Sequence, residues 1–164
     1  MSPYQFTDAR SLFEAAREAT REITRSRNTL QRMESMEGAR GANVTGVGHA
    51  SGISDPYRTT DARMDYERRI QATIEEDEAL VDYACSVLYG CDQMGRTGGL
   101  YTLAPHACAD VICLRYCMGI KWEVVADMVG YSMRYAQDRA RMGFEIVDAY
   151  GIEATIEGKG GATA

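Results

Sequence analysis

Proline is scarce in this chain. Three occur in 164 residues, at positions 3, 56 and 105. Two long windows between them are free of the residue that breaks helices. Also missing is any apolar run near the 20 or so residues that a bilayer requires, so no membrane partner is expected. The opening MSPYQFTDAR has no apolar core of the kind a secretory leader carries, and a cytoplasmic location is expected. An excess of positive charge is lacking too: 18 Lys and Arg stand against 24 Asp and Glu, a net charge of −6. A strongly basic chain would attract nucleic acid over its whole surface. Here any DNA contact must come from a local patch or from two copies acting together. A disulfide framework is not indicated, because the five cysteines are odd in number and all lie between residues 85 and 117. They read as reduced thiols. Finally, no segment alternates apolar and polar residues over six positions, so strands are not expected.

What is present points to helices. Hydrophobic residues make up 45% and charged residues 26% of the chain, ordinary values for a folded protein. The first segment, 1–37, carries a long helix over 7–37. Leu12, Ala16, Ala19, Ile23, Ser26, Leu30 and Met33 follow alternating steps of four and three, a heptad seam. Thr7 or Asp8 suits its N-cap and Gly38 its end. Ala16, Ala19 and Ser26 are small, so the seam buries little area and the helix needs a partner. Residues 38–60 are glycine-rich without apolar periodicity and read as a flexible linker. Within them GVGHASG superficially resembles a phosphate loop, but it follows no strand.

A second long helix is expected over 61–89. Tyr66, Ile70, Ile74, Val81, Ala84 and Leu88 share one face, which Leu80 and Val87 widen and Asp77 interrupts. The acidic run Glu75, Glu76, Asp77, Glu78 reads as a solvated face, with a repulsive partner-selecting surface as the sharper reading. Residues 90–104 form a glycine-rich connection. Pro105 can occupy the first turn of the next helix, over 105–118, which Gly119 ends. Residues 151–164 read as a disordered tail.

The stretch KWEVVADMVGYSMRYAQDRARMGFEIVD, 121–148, has the spacing of a helix-turn-helix. Such a motif needs a small fifth residue where the helices cross and glycine at the ninth, in the turn. Ala126 and Gly130 satisfy both. Ser132 stands where the second helix needs an N-cap. Ala136, Ala140, Gly143 and Val147, with Phe144, give that helix a buried stripe. If it lies in a major groove, its outward residues are Met133, Arg134, Gln137, Asp138 and Arg141. Arg134 can take guanine, Gln137 adenine, and Asp138 can accept from cytosine. Tyr135 and Lys121 can reach phosphates. The bland alternative is a helical hairpin on which Arg134, Asp138 and Arg141 merely pair along a solvated face. Four bases against five acids leave the stretch at −1.

On these residues the chain resembles region 4 of sigma factors, in the form found in small phage and prophage regulators of the ArpU or RinA kind. LRY at 114–116, GIKW at 119–122, VAxxxGYS at 125–132 and the following helix carry the resemblance. A long helix, the linker SGISD at 51–55 and a second long helix are similar to one branch of those proteins. The resemblance implies an all-α protein, with an N-terminal coiled-coil-like hairpin of long helices and a sigma region 4-type helix-turn-helix at 105–150. It implies a sequence-specific regulator that binds double-stranded DNA, with RNA polymerase a further possible partner. Two positions depart from the pattern: Ala136 stands where a branched residue is usual, and Asp138 where a basic one is common. The heptad seam adds the expectation of a homodimer through the N-terminal helices.

The rival reading is a protein-interaction module whose helix-turn-helix contacts RNA polymerase or a phage packaging component through Met133, Tyr135 and Met142. A small terminase-like ring subunit is a variant of it. No enzyme is expected: His49 lies in a glycine linker and His106 beside a proline, neither with an orienting acid. Zinc at His106, Cys108, Cys113 and Cys117 was weighed against the absence of paired short spacings. Cys113 and Cys117, one helical turn apart, can share an ion, but cysteine is also a small buried hydrophobe. Neither metal nor cofactor is expected.

Overall fold

A computed structural model of the chain describes residues 4–41, 56–93 and 95–158. All regular elements among them are helical. They are α1 (Ala9–Gly41), α2 (Pro56–Tyr89), α3 (Leu100–Leu103), α4 (His106–Ile112), a π segment (Cys113–Cys117), α5 (Trp122–Val129), α6 (Met133–Tyr150) and α7 (Ile152–Glu157). The chain forms two compact units. One comprises Met1–Arg21 with Glu78–Ala164, the other Glu22–Asp77.

In the Glu22–Asp77 unit the two long helices pack as a pair. Ile23, Ser26 and Ile74 are buried there, and Leu30, Met33 and Ile70 are half-buried. These are the seam positions read from the sequence. Tyr66, assigned to the same face, is 48% exposed. Asp77 does interrupt the face: its Oδ2 is buried without a hydrogen-bond partner. Burial pushes its carboxyl pKa up, and the charges of Glu22 and Glu76 push it further.

The larger unit has a contiguous core. Asp8 caps α1, its carboxylate accepting from Ser11 N at 2.7 Å. Leu12, Phe13 and Ala16 of α1 are fully buried, as are Ala84, Val87 and Leu88 of α2, and all join the apolar faces of α4, α5 and α6. Phe13 stacks on Phe144 with centroids 5.7 Å apart, and Tyr116 meets Phe144 edge-on at 5.4 Å. The heptad reading passes over Phe13, because a seam of steps three and four selects Leu12 and Ala16 on either side of it.

Several boundaries differ from expectation. Helix α1 continues past Gly38 to Gly41, and α2 begins at Pro56, so of the expected linker 38–60 only 42–55 lie outside the described residues. The connection 90–104 contains α3, and the expected tail contains α7, whose Thr155 is fully buried. These two short helices hold each other. Gly99 N donates to Thr155 O at 2.9 Å, and a Cβ on Gly98 would sit 2.0 Å from Ile156 O. The approach depends on glycine, and a local glycine count reads as flexibility what is in fact close packing. Pro105 is the N-cap of α4 rather than part of its first turn. The helix expected over 105–118 widens at Cys113: Met118 N donates to Cys113 O at 3.0 Å, a five-residue step. The Thr20 hydroxyl donates to Cys117 O at 2.8 Å, satisfying a carbonyl left unpaired where the helix ends.

Candidate nucleic-acid interface

Helices α5 and α6 are joined by Gly130, Tyr131 and Ser132. Gly130 lies in the left-handed region at φ 70°. Tyr131 N reaches back to Ala126 O at 3.0 Å and Gly130 N to Asp127 O at 3.3 Å. This is the Schellman pattern, which needs glycine at its turning point. Ser132 then caps α6, its Oγ accepting from Tyr135 N at 3.2 Å. Ala126 is buried where the helices meet. The stripe Ala136, Ala140, Gly143, Phe144 and Val147 is buried along α6. A Cβ on Gly143 would lie 2.6 Å from Ile112 Cδ1 and 3.0 Å from Leu100 Cδ2, so its absence sets how closely α6 approaches α4.

The opposite face of α6 is open. Met133, Arg134, Gln137, Asp138 and Arg141 are exposed, as are Lys121, at the N-cap of α5, and Ser132. Arg141 Nη2 lies 2.8 Å from Asp138 Oδ1, both side chains at least half exposed. Such a pair contributes tenths of a kcal/mol and is readily exchanged for another partner. Arg134 has no ion pair among the described residues. Tyr135 is held more tightly than its neighbours. Its ring lies 4.4 Å from that of Tyr131, and the Arg139 guanidinium sits 4.4 Å over its centre. Arg139 is thereby turned along the helix, so the cations left on the open face are Arg134 and Arg141, with Lys121 from α5.

Two of the five acids have separate places. Asp148 Oδ1 accepts from Ala9 N at 2.6 Å, meeting one of the unsatisfied donors at the start of α1. Glu145 lines a cleft of about 510 Å³ along α6 with Gln137, Asp138, Arg141 and Trp122. Trp122 packs edge-on against Tyr116 at 6.4 Å and carries the Arg115 guanidinium 5.3 Å from its ring centre. Arg115 also donates to Ile120 O at 2.9 Å, bracing the turn into α5. Sequence spacing had no signal for the contact of Asp148 with Ala9, since its partners lie 139 residues apart.

Exposed apolar side chains gather around the same turn. Met128 is 58% exposed, and Tyr131, Met133 and Met142 are exposed as well. Of the four side chains weighed for zinc, His106 stacks on Tyr101 at 3.8 Å and Cys108 is buried in the core. Cys113 and Cys117 converge instead with Cys85. Among the described residues no helix is long and apolar enough to cross a membrane. Comparison of the chain with protein-family models, with curated proteins and with solved structures finds no significant match.

Proposed function

We propose that this chain is a sequence-specific DNA-binding transcriptional regulator of phage or prophage type, which lays the N-terminal half of α6 in the major groove and acts as a homodimer through its N-terminal helices. One observation carries the reading. Arg134, Gln137, Asp138 and Arg141 project together from the face of α6 opposite its buried stripe, directly after a Schellman turn and a serine cap. That is the part of a recognition helix that meets base edges in helix-turn-helix proteins. Arg134 suits guanine and Gln137 adenine. Asp138 holds Arg141 until DNA competes for it, or accepts from cytosine.

Dimerisation follows from the charge. Affinity for the DNA backbone grows with the phosphates neutralised, and one copy offers few cations on this face. Two recognition helices at half-sites roughly 34 Å apart double the contacts. The seam itself is buried within one chain, at Ile23, Ser26 and Ile74, so pairing would use the outer faces of the N-terminal helices.

The test is selection of bound sequences from random DNA at low salt, repeated with Arg134→Ala and Gln137→Ala. Enrichment of one motif by the parent, with about 1–3 kcal/mol of base discrimination lost at one position in each variant, is the expected result. No enrichment by the parent sinks the reading. Light scattering at micromolar concentration checks the dimer, and a monomer would remove it.

A second reading has its own observation. The exposed Met128, Tyr131, Met133 and Met142 suit a protein partner such as RNA polymerase or a packaging component, because methionine adapts to irregular apolar surfaces. Met133→Ser with Met142→Ser separates the two. Loss of partner capture with DNA selection intact favours the protein surface.

A further inference from the structure

Three sulfur atoms meet inside the larger unit. Cys85 lies near the end of α2, and Cys113 and Cys117 are the two ends of the π segment. Their Sγ atoms all lie within 4.8 Å of one another, the one group of three or more His, Cys, Asp or Glu side chains that converges in this way among the described residues. We propose that Cys85, Cys113 and Cys117 form a three-thiolate site for a soft divalent cation, zinc(II) in the first instance.

The bland explanation is that cysteine is a small hydrophobe. It accounts well for Cys108, which is fully buried in the apolar wall beside Gly143. It accounts poorly for the other three. Cys85 and Cys113 are only half-buried, yet both are turned toward the same point as the buried Cys117. The backbone also departs from α geometry over the span they bracket. A π turn sets residues four apart more nearly in line than an α turn does, so widening at Cys113 aligns its side chain with that of Cys117. Single π turns inside α-helices cluster at functional sites.

The dimensions suit the chemistry. Thiolates about 2.3 Å from a tetrahedral zinc ion stand roughly 3.8 Å apart. Small rotations of the half-buried Cys85 and Cys113 close the remaining gap. The three thiols release their protons when the cation binds. Charge selects the valence. Three thiolates leave −1 with a divalent ion and −2 with a monovalent one, and uncompensated buried charge is costly. The Tyr89 hydroxyl donates to Asp110 Oδ1 at 2.9 Å. With that hydroxyl engaged elsewhere, the fourth position falls to water.

The experiment uses the full chain, kept reduced and titrated with zinc(II) against a chromophoric chelator. Cys85→Ser and Cys113→Ser are the test variants. Cys91→Ser, which changes an exposed thiol outside the cluster, is the control. One equivalent is expected for the parent and for Cys91→Ser, with affinity at least about tenfold weaker in each test variant. Cobalt(II) should give a sulfur-to-metal charge-transfer band in the parent that Cys113→Ser loses, and zinc should raise the thermal midpoint of the parent and of Cys91→Ser but not of the test variants. Far-UV circular dichroism establishes that the serine variants keep their helices. Parent binding no tighter than that of a folded Cys85→Ser, Cys113→Ser double variant overturns the site. Binding of copper(I) without zinc(II) overturns the divalent assignment.

Discussion

The two units draw on the same two long helices and differ in what those helices bury. In the Met1–Arg21 and Glu78–Ala164 unit, Leu12, Phe13, Val87 and Leu88 are fully enclosed with the faces of α4, α5 and α6. In the Glu22–Asp77 unit, burial among the described residues reaches only Ile23, Ser26 and Ile74, and a charged Asp77 lies within the same face. Helix continuity therefore does not imply equal stability along its length. Tertiary packing supplies most of a helix's stability, and the smaller unit has little of it within one chain.

The sharpest way to break that contrast is to truncate one side chain in each unit. Phe13→Ala should cost about 3–5 kcal/mol, by the rule for enclosed aromatics, and lower the thermal midpoint by roughly 10 °C. Ile23→Ala should cost about 1 kcal/mol, since fewer neighbours surround it. Equal losses in urea titrations would dissolve the distinction. Next in size is Gly98→Ala. Its new methyl meets the backbone oxygen of Ile156 rather than a movable side chain, so about 2–3 kcal/mol should be lost. A neutral outcome by calorimetry would return α7 to the status of a loose tail.

Ser132→Ala tests the start of α6, where loss of the hydroxyl cap should cost about 1 kcal/mol in a chemical denaturation series. The smallest effect belongs to Asp77. Its folded pKa lies above the unfolded value, so the folded state binds more protons and loses stability as pH rises through the carboxylate range. Asp77→Asn should therefore raise the midpoint at pH 7 by about 1–2 °C, a gain that fades below roughly pH 4. A lower midpoint at pH 7 would mean that the carboxylate has a stabilising partner.

What could be read in advance was local. The heptad seam, the cap at Asp8, the glycine turn at 130, the serine cap at 132 and the buried stripe of α6 are each written within a few residues of chain, and each is present. What escaped depends on distant partners. Gly98 and Gly99 look like linker until α7 is placed against them, and Cys85 joins Cys113 only when α2 returns to the core. Spacing along the chain relates Cys113 to Cys117 but cannot reach Cys85, because the third sulfur comes from another helix. Counting charges along the stretch likewise does not show that Arg139 is committed to Tyr135.

The bond from Ala9 to Asp148 has a consequence for synthesis. The first helix of the larger unit is finished by an acceptor made 139 residues later. At typical translation speeds that interval is on the order of ten seconds. For most of it Leu12 and Phe13 have been made while the aromatic wall is incomplete, since Tyr116 and Phe144 follow late in the interval. The segment 105–150, for its part, shares its aromatic core with α1, through the stack of Phe144 on Phe13. The core beneath α6 therefore closes only after residues around 13 and residues around 144 have met.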